Sequence, residues 1–242
     1  MNNYIELYYK YKLKYLNLKY STMKGGNPHG EEMKKIFPSK EGVDYDSLQI
    51  HKEGYFSATP PSDSKQIFTF MIDYMRTLDD KIITDLTGNV GGDTIAFALK
   101  FKHVHSIELN TDTFKILENN VRVFNLNNVN LYNGNSLKIF PAKESKVWNT
   151  DVLYIDAPWG GREYKNIPKG KLELRLDSIN IADYLFHLIR GPNKPQWIFL
   201  KVPYNYKFTD IEGLSRSFNR YEVKPVIRNT KVSYYIICIE LK

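Results

Sequence analysis

Residues Ile82 to Phe101 read IITDLTGNVGGDTIAFALKF, and this stretch decides the fold. Ile82-Ile83-Thr84-Asp85-Leu86 is a short apolar, β-branched run, the composition of a buried strand. It ends in Thr87-Gly88-Asn89-Val90-Gly91-Gly92, where glycines let the backbone approach a ligand closely. Asp93 to Phe101 then reads as a helix. Strand, glycine turn and helix open a sheet whose ligands bind at the carboxyl ends of its strands.

The same texture continues outward. His105 to Glu108 reads as a second strand, Thr111 to Phe124 as a helix, and Asn130 to Tyr132 as a third strand. Val152 to Ile155 makes a fourth strand, followed by a helix near Ala182 to Arg190 and a strand at Trp197 to Val202. Tyr221 to Arg228 and Val232 to Leu241 lie close enough to form a hairpin. The alternation predicts an α/β, Rossmann-like domain with a mostly parallel seven-stranded sheet and a C-terminal antiparallel hairpin. The expected organisation is an N-terminal helix and linker over 1–30 and a catalytic domain over 31–242. Within that domain, a leading segment and lid occupy 31–80 and the core occupies 81–242.

Composition agrees with one sizeable domain. The chain has 242 residues, 42% apolar and 25% charged, with 34 basic residues against 27 acids. The net charge of +7 and pI near 9.1 favour a polyanionic partner, nucleic acid first. Cys238 is the single cysteine, which excludes an internal disulfide, and it reads as a small core residue. The five histidines (29, 51, 103, 105 and 187) have no metal-ligand spacing. No apolar run approaches the ~20 residues of a membrane-spanning helix, and no signal-peptide core is present, so an intracellular, reducing location is expected.

Residues 1–20, MNNYIELYYKYKLKYLNLKY, carry six tyrosines and four lysines. Tyr4, Tyr8, Tyr11, Tyr15 and Leu18 fall on one helical face, as in a helix that packs on the body or on a protein partner. The segment also resembles an N-terminal motif of giant DNA virus proteins, which implies a host-cytoplasm, viral-factory or virion location. Ser21 to Gly30 reads as a linker, and the expected oligomeric state is a monomer.

Two constellations carry the chemistry. In the first, Glu108 lies 20 residues beyond Gly88, where a carboxylate accepts hydrogen bonds from ribose hydroxyls. Asn135, after the third strand, is placed to meet an adenine edge. Asp85 precedes the glycine loop, where an acid repels pyrophosphate and suits a ligand bearing an ammonium group, such as S-adenosylmethionine. The competing reading is a glycine turn that only connects elements.

In the second, Asp156-Ala157-Pro158-Trp159-Gly160-Gly161 follows the fourth strand. A planar exocyclic amine is a poor nucleophile because its lone pair is delocalised. Asp156 and the Ala157 carbonyl can accept its N–H protons, and Trp159 can stack on the base. Gly160 and Gly161 leave room for the base to enter. Catalysis of this kind is mostly orientation. Trp159 could otherwise be a hydrophobic plug, but it has no strand periodicity to bury it.

At these residues the chain resembles the trimethylguanosine synthase family of cap guanine-N2 methyltransferases. Glu53 to Pro60 (EGYFSATP), Asp85 to Leu99 and Asp156 to Gly161 resemble three of its blocks in order. Weaker similarity lies around Lys35 to Phe37 and Phe199 to Asn205. The resemblance implies a class I methyltransferase fold with S-adenosylmethionine as cofactor. It implies cofactor contacts at Phe37, Thr59, Asp85, Gly88, Glu108, Asn135 and Asp156. A 7-methylguanosine RNA cap would meet Ala157, Pro158, Trp159 and Gly160. Its triphosphate would meet basic groups among Lys24, Lys34, Lys35, Arg162, Lys165 and Lys169. Asp156 and Trp159 are the expected catalytic pair. Ala157 replaces a family proline, Asn135 a common acid, and Tyr204 stands where an arginine near the cap phosphates is usual. Two other readings stay open: an amino methyltransferase for an internal RNA or DNA base, at guanine N2 or adenine N6, and a non-catalytic cap- or RNA-binding subunit.

Overall fold

β1 (Ile82–Asp85) runs through the middle of the molecule, paired in parallel with β2 (His103–Glu108) on one side and β4 (Val152–Ile155) on the other. The computed structural model describes residues 30–140, 147 and 149–242. The helix expected over 1–20, the linker to residue 29, Lys24 and Trp148 lie outside the described residues. β3 (Val129–Asn133), β5 (Trp197–Pro203), β6 (Phe218–Arg228) and β7 (Lys231–Leu241) complete a seven-stranded sheet of order β3-β2-β1-β4-β5-β7-β6. β7 runs antiparallel to both its neighbours, and the other pairs are parallel. The expected hairpin is therefore present. Its last strand slots between β5 and β6.

Helices cover both faces. α1 (Lys52–Ser57) and α2 (Pro61–Met75) precede the sheet, and Pro61 at the first position of α2 needs no N–H partner. α3 (Gly92–Ala98) follows β1, and α4 (Thr111–Val123) follows β2. The Asn110 side chain caps α4 by accepting the N–H groups of Asp112 and Thr113. α5 (Ile181–Leu188) covers the opposite face with Ile181 and Leu185.

Alternation along the strands sorts the core. Leu153, Ile155, Ile198 and Leu200 face α5, while Val152, Tyr154, Trp197 and Phe199 face Ile67 and Met71 of α2 and Phe97 of α3. A third cluster lies under the leading segment, with Phe37, Leu48, Val90, Ile95 and Phe124 fully buried. Cys238 is buried as expected. His103 and His105 share a face, with ring centroids 4.8 Å apart, on a strand inside the sheet.

Candidate active site

β1 and β4 are neighbours, yet the chain leaves β1 toward β2. Their carboxyl ends border the point where strand order reverses, the usual binding crevice of such sheets. Asp85 ends β1 and Asp156 follows β4, both on the α2/α3 face. The Asp156 N–H donates to Thr87 Oγ1 at 3.1 Å, which ties the second constellation to the first.

The glycine loop is held from beneath. Asp85 is 1% exposed, accepting the Thr87 N–H at 3.0 Å and the Thr94 hydroxyl at 2.8 Å. Burial, with Asp93 nearby, pushes its carboxyl up to about 7. Asp85 thus anchors the loop instead of facing a ligand, which corrects its expected role. At Gly88, an added Cβ would lie 2.4 Å from Ser106 Oγ and 3.0 Å from Leu117 Cδ2. Only glycine lets the loop lie this close to β2 and α4.

Glu108 sits at the end of β2, each carboxylate oxygen accepting one backbone N–H, from Asn89 at 2.9 Å and Asn110 at 2.7 Å. Asn135 caps the short helix Ser136–Ile139 through Leu137 N–H at 2.8 Å and donates to Asp177 at 3.0 Å. Both ends of its amide thus have protein partners. Phe37 is fully buried, 6.2 Å from the Phe124 ring. Core packing occupies a ring expected to close a pocket.

Around Asp156 the structure adds Lys201 and Asp93, to which the sequence reading assigned no role, and joins them to Thr59. Lys201 of β5 reaches Asp156 Oδ2 at 2.7 Å and Thr59 Oγ1 at 2.9 Å. Thr59 in turn donates to Asp93 Oδ2 at 2.9 Å. The register explains the meeting: Ile155 pairs with Leu200, so Asp156 and Lys201 come next. Lys201 is also the single charge in the otherwise apolar, fully buried strand WIFLKVP. That oddity was the available signal.

The cluster is electrostatically strained toward neutrality. Burial raises the Asp156 carboxyl, and Lys201 opposes the rise. Burial likewise pushes Asp93 up to about 6, again against Lys201. For the Lys201 ammonium, burial works downward, and Asp156 and Asp93 more than reverse it. Two carboxylates, Asp93 and Asp156, thus face one ammonium, and Asp85 is a third acid close enough to feel both. That balance fits a ligand carrying a sulfonium and an ammonium group.

Trp159 stays half-buried, packed against both sheet-face clusters. Its ring meets Tyr164 edge-on at 5.2 Å and Tyr234 at 6.0 Å, and Lys201 Nζ lies 5.7 Å from its centroid. Ala157 is 1% exposed, whereas Pro158 and Gly160 are exposed. Gly160 and Gly161 adopt φ of 89° and 72°, with nothing within 4 Å of an added Cβ. Thr59, Gly88, Asp156 and Trp159 are thus linked through Thr87 and Lys201. Lys35, Lys165 and Lys169 are exposed, Lys34 pairs with Glu31 at 2.6 Å, and the Arg162 side chain lies outside the described residues. Among the described residues no acid, His or Cys cluster could hold a metal ion, and no helix is long and apolar enough to cross a membrane.

Known proteins share this fold. The solved structure of tRNA (m1A58) methyltransferase TrmI from Aquifex aeolicus superposes with a TM-score of 0.54 at 14% identity, covering 89% of this chain and 77% of that one. A Porphyromonas gingivalis structure described as a methyltransferase gives 0.62 at 18% identity, over 88% of this chain and 48% of that one. The fold is that of class I methyltransferases. In sequence, uncharacterized protein L320 of Acanthamoeba polyphaga mimivirus is 32% identical over 145 residues, 59% of this chain and 55% of its own length. Trimethylguanosine synthase of Saccharomyces cerevisiae is 24% identical over 180 residues, 72% of this chain and 53% of its own. The chain spans about half the length of these curated relatives. A sequence model of the RNA cap guanine-N2 methyltransferase family matches residues 80–241, more than half of the chain and every strand from β1 to β7. By that match the chain belongs to the RNA cap guanine-N2 methyltransferase family.

Proposed function

We propose that this protein transfers a methyl group from S-adenosylmethionine to the exocyclic N2 amine of a 7-methylguanosine RNA cap. The observation that carries the reading is Asp156, ionically paired in the same cluster as Trp159 and tied to the glycine loop. When bound, S-adenosylmethionine supplies an electrophilic methyl on a cationic sulfur. The Gly88 loop and Glu108 hold this cofactor, the latter as a carboxylate at the end of β2 that the Asn89 and Asn110 N–H groups orient beside the loop. Asp85 acts behind them by fixing the loop.

Asp156 Oδ1, the oxygen Lys201 leaves aside, accepts one N–H of the amine, and the Ala157 carbonyl accepts the other. Holding both protons directs the nitrogen lone pair toward the methyl, and orientation supplies most of the rate. The proton departs toward Asp156 once the new bond has formed. Trp159 stacks on the base, and a base carrying the N7-methyl positive charge gains about 0.5–2 kcal/mol on an indole face. Basic residues drawn from exposed Lys35, Lys165 and Lys169 and, on the sequence alone, Arg162 meet the triphosphate. The test is incubation of the full chain with S-adenosylmethionine and a 7-methylguanosine cap analogue, followed by mass analysis. Gain of one or two methyl groups on that analogue, and none on unmethylated GTP, is expected. Transfer only to an internal base of an uncapped RNA or DNA would overturn the reading.

A further inference from the structure

Lys201 touches neither methyl donor nor amine in the scheme above, yet it is a buried charge with two hydrogen-bond partners. Its side chain is 5% exposed, on a strand bounded by β4 and β7. The ammonium donates to Asp156 and Thr59 and lies 5.0 Å from the Tyr234 ring centroid and 5.7 Å from that of Trp159. A buried lysine is retained against its desolvation cost only by such partners.

We propose that Lys201 is a positioning residue for the methyl-transfer reaction: it keeps Asp156 ionised and holds Oδ2, so that Oδ1 alone is left to accept the substrate amine. This rests on the function proposed above. The geometry gives the reason. Asp156 follows a strand whose preceding residues are all buried, and a carboxyl so placed takes up a proton unless a cation faces it. A protonated Asp156 would offer an O–H donor to an amine that already carries two hydrogens. Lys201 removes that outcome. Thr59 fixes the ammonium in turn, because its hydroxyl accepts from Lys201 and donates to Asp93.

The other groups facing Asp156 cannot do the same. Asp93 on α3 and Asp85 on β1 are acids and favour its neutral form. Tyr154 on β4 and Tyr234 on β7 are held neutral by burial. Arg228 of β6 is committed to buried Asp63 through 2.8 and 2.9 Å contacts. Lys201 is the cation in direct contact with the carboxylate.

The experiment follows Asp side-chain carboxyl carbons by NMR through a pH titration of the full chain, with the Asp156 signal assigned by its loss in Asp156→Asn. In Lys201→Met the Asp156 midpoint should rise by at least about one pH unit, the size expected on losing an adjacent opposite charge. Turnover at neutral pH should fall about 100-fold, as when one preorganised electrostatic group is lost, and the acid limb of the rate profile should move up with the midpoint. The KM for the cap analogue and the affinity for S-adenosylhomocysteine should stay within about threefold, and Lys201→Arg should restore the Asp156 midpoint. Thr59→Val, which leaves the lysine in place, should raise the midpoint by a smaller amount and serves if Lys201→Met does not fold. An unmoved midpoint in a folded Lys201→Met, or in Thr59→Val when the first variant is unfolded, overturns the proposal. A wild-type chain inactive on every cap analogue would sink the substrate assignment alone, because the titration still decides the role of Lys201.

Discussion

Thr59 and Asp93 are joined by a 2.9 Å hydrogen bond that spans 34 residues of chain. It fastens the leading segment, just before α2, to the first turn of α3 beside the glycine loop. Thr59 is 2% exposed, so the bond closes where water cannot substitute for it. Thr59→Val should cost about 1–3 kcal/mol, the penalty for leaving buried polar groups without a partner. Urea denaturation measures the loss. Faster proteolytic cleavage within residues 40–60 should accompany it if the segment is released.

Trp159 gives a different expectation, because it joins core packing to the proposed base site. Trp159→Ala should weaken binding of a 7-methylguanosine analogue by about five- to 150-fold, since stacking of a base on an aromatic ring is worth about 1–3 kcal/mol. S-Adenosylhomocysteine affinity, measured by calorimetry, should change little. Equal loss of both would make the indole purely structural.

Asp85 sets a pH dependence. Its folded carboxyl titrates at about 7 against an ordinary 3.8, so the fold holds a proton that the unfolded chain has released between those values. Stability from this group therefore falls as pH rises through that window. Asp85→Asn keeps the acceptor for the Thr87 N–H and does not titrate. Its melting temperature relative to wild type should climb steadily from pH 4 to pH 7, and a flat difference would refute the assignment.

His105 works with the opposite sign. Burial, with His103 adjacent, lowers its imidazole from 6.5 to about 4, so folding disfavours the charged ring. The unfolded chain takes up the proton first, and stability is lost as pH falls from 6.5 toward 4. At about 1.36 kcal/mol per pH unit, wild type should lose about 3 kcal/mol relative to His105→Gln over that range. Paired denaturation curves at pH 7 and pH 4.5 check it.

Local signals were the legible ones. The β1–glycine–α3 unit and the strand-four turn are each continuous in sequence, so alternation and turn chemistry expose them. Parallel register is not continuous. Asp156 and Lys201 stand 45 residues apart, and only the pairing of β4 with β5 brings them together. The same holds for Thr59 with Asp93. Phe37 and Asn135 are ambiguous for another reason: a site role and a structural role demand the same residue types. A buried phenylalanine packs on Phe124, and an asparagine before a helix caps it. Motif spacing cannot choose between those fates.

β7 follows β6 in the chain but is laid down between β6 and β5. During synthesis, then, the edge of β5 stays bare until the ribosome has passed Leu241, and the strand bearing Lys201 has no second neighbour before that moment. A nascent chain halted at the hairpin turn would already contain Thr59, Asp93, Asp156 and Lys201, yet without Tyr234 and the strand that seats the lysine. Competence for chemistry would thus arrive late and in one step, when the final strand threads home.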